Sequence, residues 1–489
     1  MALKGKKPKV PKKPSTPRKP SKRGGAATVS AWEDDPEPGV LVTRPIPNLA
    51  KKPLAFTFPH PKPPAAVYQP GTSAFRYWTA AEALRRGADF WAPHLPVSNW
   101  EVGSSLKVLL DQGQDLNAYY DRQALNFFHG HGATGTVYSG ESPDILCHEM
   151  GHAILDALKP QLWSAASHEV AAFHESFGDM SAILSALQLP TLRAAILSDT
   201  RGHLYRSSRL SRLAEQLASA IRIHQPDAVE SDCLRNAVNS FTYQNPLHLP
   251  QMAPASQLSS EPHSFSRVFT GAFFEILDGM LIAKAATAKA PSEKELLSVS
   301  SEIADILISG IKLAPVVTNW YAQVAAGMVQ ASAIMNPDYP RILKAAFVRR
   351  SILSLNSASN VQSLQAPLAA ATARRVARQA TEPLTTIALP AGDYGLNKPL
   401  LVEAASHPRA YVARAGATIG NGSIEPESAS TAARAFVDDL FSRGRVDYAG
   451  LARAESRLDH GHRLRSHRLA AENGGIRLVR RLFDCGLAH

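Results

Sequence analysis

The sequence predicts an α+β fold in which a part containing a small sheet precedes a helical part. Two patterns lead to this prediction. Short apolar stretches between residues 105 and 138 indicate strands, and helical spacing dominates from about residue 142 to residue 355. The first 70 residues are rich in proline and lysine and hold too little apolar surface for a core. We therefore expect four regions: a disordered tail (1–70), an α+β part (71–160), a helical part (161–360) and an extension of unknown role (361–489).

The composition is that of a globular protein, since 45% of the 489 residues are hydrophobic. No run of about 18 apolar residues occurs, so we expect no transmembrane segment. The N-terminus lacks the apolar region of a signal peptide, and the three cysteines are too few for a disulfide framework. These features favour a cytoplasmic protein and leave export by another route open.

The positive charge is concentrated in the tail. Ten Lys or Arg residues lie within the first 24, without an acid among them, whereas the net charge of the whole chain is +11. The rest of the chain is therefore nearly balanced, and we expect no specific nucleic-acid surface. The tail fits a flexible solubilising arm or, alternatively, a weak contact with polyanions or a membrane surface.

The remaining elements follow from local patterns. AAEALRRGADFWAPHL predicts a helix, SSLKVLL predicts a strand, and Thr136 to Tyr138 predict another short strand. In the extension, TTIALPAG, PLLVEAA and AYVARAG predict short strands. An Arg-rich helical stretch is then expected to begin at STAARAFVDDLFSRGRVD and to end in GGIRLVRRLFDCGL.

One predicted helix carries the motif HExxH, in His148, Glu149 and His152. Ser142 is a favourable N-cap residue and Pro143 suits the first helical position. Two histidines four residues apart lie on the same helix face, so both can reach one zinc ion, and the glutamate can reach a water molecule beside it. The alternative is a helix with two surface histidines.

The next predicted helix, SHEVAAFHESFGDMSAILSALQ, supplies acids with matching spacing. Glu175 is a candidate third zinc ligand, and Asp179 is a candidate partner that holds a ligand histidine in one tautomer. The alternative is a solvated acidic pair on a core helix. The position of Glu175, shortly after the HExxH helix, favours the zinc interpretation.

Several short segments, in the same order, resemble the thermolysin-like neutral zinc metalloproteases (gluzincins). The likeness covers roughly residues 100–355, and the segments that carry it are DLNAYYDR, HEMGH, ESFGD, LRNAVNSFTYQNP and EPHSFSRVF. It implies a two-part fold with the active-site cleft between a small-sheet part and a helical part. It also implies an endopeptidase with one zinc ion per chain and a preference for an apolar residue after the scissile bond.

The resemblance also implies roles for individual residues. Zinc would be bound by His148, His152 and Glu175, with Glu149 as general base and His263 stabilising the oxyanion. The residues expected to contact a peptide or protein substrate are Asn117 and Ala118 on its backbone, Arg235 on a carbonyl, and Ile145 and Leu234 in an apolar pocket.

The sequence departs from the family pattern at three points. The linker after HExxH is a few residues longer, and it contains Trp163 but no tyrosine that could help at the oxyanion. The carboxylates that bind calcium in secreted members are missing after Asp179, so we expect no structural calcium there. These departures leave a second hypothesis open, in which the protein is a weak or inactive zinc-binding pseudo-peptidase that binds a partner. Two roles stay open for residues 361–489, a substrate-recruiting or an inhibitory appendage, since their sequence favours neither strongly.

Overall fold

The computed structural model describes residues 27–285, 290–363, 382–408, 426–448 and 465–486. It has an α+β architecture, with small sheets early in the chain, a helical middle region and a mixed sheet in the extension. The helices are α1 (Ser73–Trp91), α2 (Pro143–Leu158), α3 (His168–Ala186), α4 (Pro190–Thr200), α5 (Glu215–Arg222), α6 (Pro262–Lys284), α7 (Glu293–Leu313), α8 (Trp320–Met335), α9 (Tyr339–Arg349), α10 (Leu355–Ser363) and α11 (Ala429–Ser442).

The strands form two five-stranded sheets and three two-stranded ones. The strands are β1 (Thr28–Trp32), β2 (Leu41–Pro45), β3 (Ala55–Thr57), β4 (Ser105–Leu109), β5 (Ala118–Tyr120), β6 (Ala124–Phe127), β7 (His129–Gly132), β8 (Gly135–Tyr138), β9 (Arg212–Leu213), β10 (Arg235–Asn236), β11 (Thr385–Leu389), β12 (Leu400–Ala404), β13 (Val446–Asp447), β14 (His467–Glu472), β15 (Gly475–Arg480) and β16 (Phe483–Asp484). The first large sheet has the order β16-β5-β6-β4-β3 and the second has the order β11-β12-β15-β14-β13. A strand from the far end of the chain therefore completes the sheet of the N-terminal part.

The two central helices begin where the sequence predicts. The Ser142 side chain accepts a hydrogen bond from the Ile145 N–H at the start of α2, and the Ser167 side chain accepts one from the Val170 N–H at the start of α3. Such caps satisfy N–H groups that have no partner inside a helix. All of α3 and nearly all of α2 are buried, so these helices form the centre of the main hydrophobic core.

The extension packs against the start of α3. It has a small hydrophobic core of its own, formed between its sheet and α11, and that core includes Ala166 and Ala171 from the helical part. His168 Nε2 lies 2.8 Å from the Asp439 carboxylate of α11, which is a buried contact between the two regions. The extension is thereby fixed next to the helix that carries Glu175.

The sequence predicted that residues 28–57 belong to a disordered arm, but they contain strands β1 to β3. These residues are ordered because β1 packs against α1, which buries Val29 and Ala31. The segment AYVARAG and residues 1–26 lie outside the described residues. TTIALPAG and PLLVEAA form β11 and β12 as predicted.

The predicted helical stretch ending in GGIRLVRRLFDCGL is wrong for residues 467–484. Strands β14 and β15 form an antiparallel hairpin there, in which Glu472 pairs with Gly475. Asn473 and Gly474 make the two-residue connection, with Gly474 at a φ of 89°. An Asn-Gly pair favours such a tight turn, because its twist matches that of the strands. The local signal for a hairpin was therefore present in the sequence.

No single helix in the described ranges is long and apolar enough to cross a membrane. One pair, α3 with α4, passes by length and composition when taken together, with a bend of 102° between them.

Glu169 connects the first turn of α3 to the helical part. Its carboxylate accepts hydrogen bonds from the Tyr243 hydroxyl (2.7 Å) and the Tyr321 backbone N–H (2.7 Å). Burial raises the pKa of Glu169 from 4.5 to about 7, and the two hydrogen bonds oppose this shift only in part.

We expect Glu169→Gln to flatten the pH dependence of stability. A carboxyl with a raised pKa binds more protons in the folded state, so its contribution is complete below pH 4.5 and is lost as the pH rises through about 7. Across that range the wild type should lose roughly 3 kcal/mol of unfolding free energy relative to the variant. Urea unfolding of both proteins from pH 4 to pH 8 measures the difference, and parallel profiles would contradict the prediction.

Candidate metal centre

Helices α2 and α3 bring His148, His152 and Glu175 together in the interior. Their ligand atoms lie within 4.8 Å of one another, and all three residues are buried. Nε2 of His148 lies 3.3 Å from one Glu175 oxygen, and Nε2 of His152 lies 3.7 Å from the other. The two histidines share a face because they are one helical turn apart. The result is a possible metal site with three protein ligands.

Two glycines allow the helices to approach closely at this point. A Cβ atom on Gly178 of α3 would lie 2.5 Å from the His148 ring. A Cβ atom on Gly151 of α2 would lie 2.9 Å from the Cα atom of Gly178. Side chains at these positions would push α2 and α3 apart, so the glycines set the distance between the His148 ring and the helix that carries Glu175.

Asp179 and Arg235 orient His148. The Asp179 carboxylate lies 3.0 Å from Nδ1 of His148 and 2.8 Å from the Arg235 guanidinium. Burial opposes the charge on Asp179, but Arg235 and His148 outweigh it and hold the pKa of this carboxyl below its ordinary value. An ionised Asp179 accepts the Nδ1 proton, which leaves Nε2 of His148 free to bind a metal ion. Asp179 thus lies where the sequence analysis expected a partner for a ligand histidine.

Unsatisfied polar groups indicate that these residues fit a metal ion. Both ring nitrogens of His152 are buried and, within the described part of the chain, have no hydrogen-bond partner; the buried oxygens of Glu149 have none besides the weak donor Cys485. Buried polar atoms are rarely left in this state without a ligand or a water molecule. Two histidines and one carboxylate are also a donor set used by zinc sites that keep one position open.

Glu149 lies beside this group without being part of the triad. Burial raises the pKa of its carboxyl to about 8. Its oxygens are near the Cys485 thiol, since the ligand atoms of His148, Glu149 and Cys485 all lie within 4.8 Å of one another. A buried carboxyl with a raised pKa can accept and release a proton near neutral pH.

His263, at the start of α6, borders the triad from the helical part. Its Nδ1 lies 2.7 Å from Glu261, and its Nε2 lies 3.2 Å from Glu175. Nε2 also lies 2.6 Å from the backbone carbonyl oxygen of Asp484. Burial disfavours the charged ring, but the two glutamates outweigh it and raise the pKa of His263 to about 9. A protonated ring donates from both nitrogens, so His263 is equipped to hold a carbonyl oxygen next to the triad.

Asn117 and Ala118, at the start of β5, also bind backbone groups. The Ala118 carbonyl accepts a hydrogen bond from the Cys485 N–H (2.9 Å), and the Asn117 side-chain oxygen accepts one from the Gly486 N–H (2.6 Å). These are the two residues for which the resemblance implies contacts with a substrate backbone. In this structure their partners belong to the chain itself.

A cavity of about 130 Å³ adjoins His263 and Arg235, and Leu234 and Cys485 are among the residues that line it. Leu234 therefore lines the same cavity as His263. Ile145 is 2% exposed and lies in the main core, outside the set of residues that line this cavity. The roles of Leu234 and Ile145 in substrate binding remain predictions.

Trp163 occupies the linker region in which the resemblance implies a tyrosine. Its ring packs edge-on against Phe483 (centroids 5.4 Å apart) and Tyr120 (5.7 Å). Its backbone carbonyl accepts a hydrogen bond from Arg480 (2.8 Å). The tryptophan therefore helps to hold residues of the extension beside the triad.

Sequence analysis did not single out the extension residues that border the site. They are Arg445, Arg480, Phe483, Asp484, Cys485 and Gly486. No local pattern in RRLFDCG marks a metal site or a cleft strand, and only the tertiary pairing of β16 with β5 brings these residues there.

Comparison with protein families and curated sequences does not assign a role to these residues. No protein-family model matches the chain, and a search of curated protein sequences returned no match either.

Proposed function

We propose that this protein is a zinc-dependent endopeptidase whose cleft lies between β5 and the start of α6. The observation that carries the proposal is the buried group of His148, His152 and Glu175, with the buried carboxylate of Glu149 beside it. A structural zinc site would normally be closed by a fourth protein ligand and would need no free carboxylate.

The residues around the triad match the needs of peptide hydrolysis. Zinc, when bound, supplies Lewis acidity to a peptide carbonyl and favours ionisation of a water molecule. Glu149 accepts the proton of the attacking water and passes it to the leaving nitrogen. The Nε2–H of His263 donates a hydrogen bond to the oxygen on which negative charge develops. Each of these residues lies beside the triad in the contacts described above.

The cleft residues also support a peptide as the substrate. The Ala118 carbonyl and the Asn117 side chain accept backbone N–H groups, which every peptide offers regardless of sequence. The neighbouring cavity is lined in part by Leu234, Ala228, Met252 and Ala253, which favours an apolar residue after the scissile bond.

A second candidate function is peptide binding without efficient hydrolysis. It is favoured by one observation, that no tyrosine lies between His152 and Glu175 to assist His263. Simple peptide binding needs neither a general base nor a histidine donor. Because Glu149 and His263 are suited to these two roles, we prefer the peptidase.

Zinc content and peptide hydrolysis test the proposal together. Protein stripped with a chelator and then reloaded should bind one zinc ion per chain, measured by elemental analysis. Reloaded protein should hydrolyse a quenched-peptide library, and the stripped protein should not. One bound zinc without hydrolysis, in wild type and in the opened variants described below, would favour the second candidate. Failure to bind zinc would contradict both.

A further inference from the structure

We propose that residues 483–486, here called the cleft segment, are an intramolecular pseudo-substrate that blocks the cleft. The inference rests on the proposed function, because it assigns a regulatory role at the same site. It is carried by backbone contacts that the cleft segment makes with Asn117, Ala118 and His263, three of the four residues expected to hold a substrate backbone or carbonyl.

The hydrogen bonds define a register for the cleft segment. The Asp484 carbonyl oxygen lies 2.6 Å from Nε2 of His263, the group expected to hold the carbonyl that is attacked. The next two N–H groups, of Cys485 and Gly486, are bound by Ala118 (2.9 Å) and Asn117 (2.6 Å). The Asp484–Cys485 peptide bond therefore occupies the position of a scissile bond.

The strand direction agrees with this register. Phe483 pairs with Tyr120, and Asp484 pairs with Tyr119, in antiparallel orientation. Without β16, strand β5 would be the edge of its sheet. An exposed sheet edge binds an extended peptide through main-chain hydrogen bonds. The cleft segment uses the edge that an external peptide would need.

Two side chains anchor the cleft segment on the N-terminal side of that peptide bond. The Phe483 ring stacks on His174 (centroids 4.0 Å apart) and on the candidate ligand His152 (5.1 Å). The Asp484 carboxylate forms a salt bridge with Arg445 of the extension. The segment is thus fixed by the apolar stack and by the ion pair, in addition to its backbone contacts.

Burial shows how completely the cleft segment fills the space. Phe483 and Cys485 are each 3% exposed, and Asp484 is 5% exposed. A segment tethered to its own binding site acts at an effective concentration on the order of millimolar, which a dilute peptide cannot match. Substrates therefore gain access only when the cleft segment leaves β5.

Gly486 offers a specific way to displace the cleft segment. A Cβ atom on Gly486 would lie 2.5 Å from the Asn117 side chain, which is itself buried. Gly486→Val should therefore expel this end of the segment. Gly392→Val is the matched control, because a Cβ atom on Gly392, in the same extension, meets nothing within 4 Å.

Thiol alkylation reports the position of the cleft segment without any catalytic readout. Cys147, Cys233 and Cys485 are all buried. When the protein is treated with iodoacetamide, mass spectrometry gives the alkylation rate of each cysteine, and Cys147 and Cys233 serve as internal references for Cys485. In the zinc-loaded Glu149→Gln background, Gly486→Val should raise the alkylation rate of Cys485 at least about tenfold, as local opening exposes it. The rates at Cys147 and Cys233 should not change, and Gly392→Val should behave like its parent.

Peptide hydrolysis then tests the blocking role. Cys485→Pro removes the N–H that binds Ala118, whereas Cys485→Ala keeps it and removes only the thiol. Gly486→Val and Cys485→Pro should hydrolyse the peptide library at least about tenfold faster than wild type, because the tethered competitor is weakened. Cys485→Ala should be activated much less than Cys485→Pro, since it keeps the backbone contact, and Gly392→Val, which lies outside the cleft, should hydrolyse at the wild-type rate.

A labelled peptide with the sequence of residues 481–486 provides a test in trans. It should bind the Gly486→Val protein and not the wild type, and N-methylation at the cysteine should abolish binding. Rapid Cys485 alkylation in wild type, equal peptide binding to both proteins, or measurable hydrolysis at the same rate by all variants would overturn the inference. If the alkylation and binding results are as expected but no variant hydrolyses peptides, residues 483–486 are confirmed as the occupant of the cleft, and the peptidase assignment fails instead.

Discussion

Glu149→Gln should abolish peptide hydrolysis while leaving zinc binding intact. The Glu149 carboxylate is buried beside the triad but is not one of its three ligands. Glutamine keeps the size of the side chain and removes its ability to accept a proton. Loss of a general base typically costs 10²–10⁴ in rate, so we expect a decrease of about a thousandfold. The comparison should be made in the Gly486→Val background, in which the cleft is expected to be open.

Asp144→Asn is the matched control for this variant. Asp144 is a second buried carboxyl on α2, one turn and more from the triad, and burial raises its pKa well above 3.8. Asparagine keeps the size of this side chain and the oxygen that accepts a hydrogen bond from the Ala214 N–H, and the position lies outside the triad, so hydrolysis should be unchanged. Full activity in Glu149→Gln, or loss of zinc from it, would contradict the assignment of Glu149 as the base.

Asp179→Asn should weaken zinc binding and destabilise the protein at the same time. The change removes the negative partner of Arg235, which is 6% exposed, and leaves its charge uncompensated in the interior. Breaking a buried ion pair in this way costs about 3–5 kcal/mol of unfolding free energy. Loss of the carboxylate that orients His148 should also lower zinc affinity about 10–100-fold.

The two effects of Asp179→Asn can be measured separately. Urea unfolding of the metal-free protein gives the stability change, and competition with a chromophoric chelator gives zinc affinity. Asp439→Asn is the control, because it removes the partner of His168 (2.8 Å) at a buried contact outside the triad. That variant should lose stability but keep its zinc affinity. A normal zinc affinity in Asp179→Asn would show that Asp179 has only a structural role.

The local chemistry of the sequence determined the helices that carry the triad. Ser142 and Pro143 specify the start of α2, and the four-residue spacing places His148 and His152 on one face. These effects act within one or two helical turns, so they can be predicted without knowledge of the fold. The sequence signal for the Asn473–Gly474 turn is equally local. It was missed because the arginine-rich sequence around it suggested a helix.

Only the tertiary structure decided how the far end of the chain is used. The hydrogen bond between Gly486 and Asn117 joins residues 369 positions apart, and no periodicity or motif encodes such a pairing. Pairing of β16 with β5 brings Phe483 to the His152 ring and brings Asp484 to His263. Contacts of this kind depend on how separate elements pack. The sequence by itself therefore determined the candidate metal ligands, whereas the fold decided which residues of the extension lie beside them.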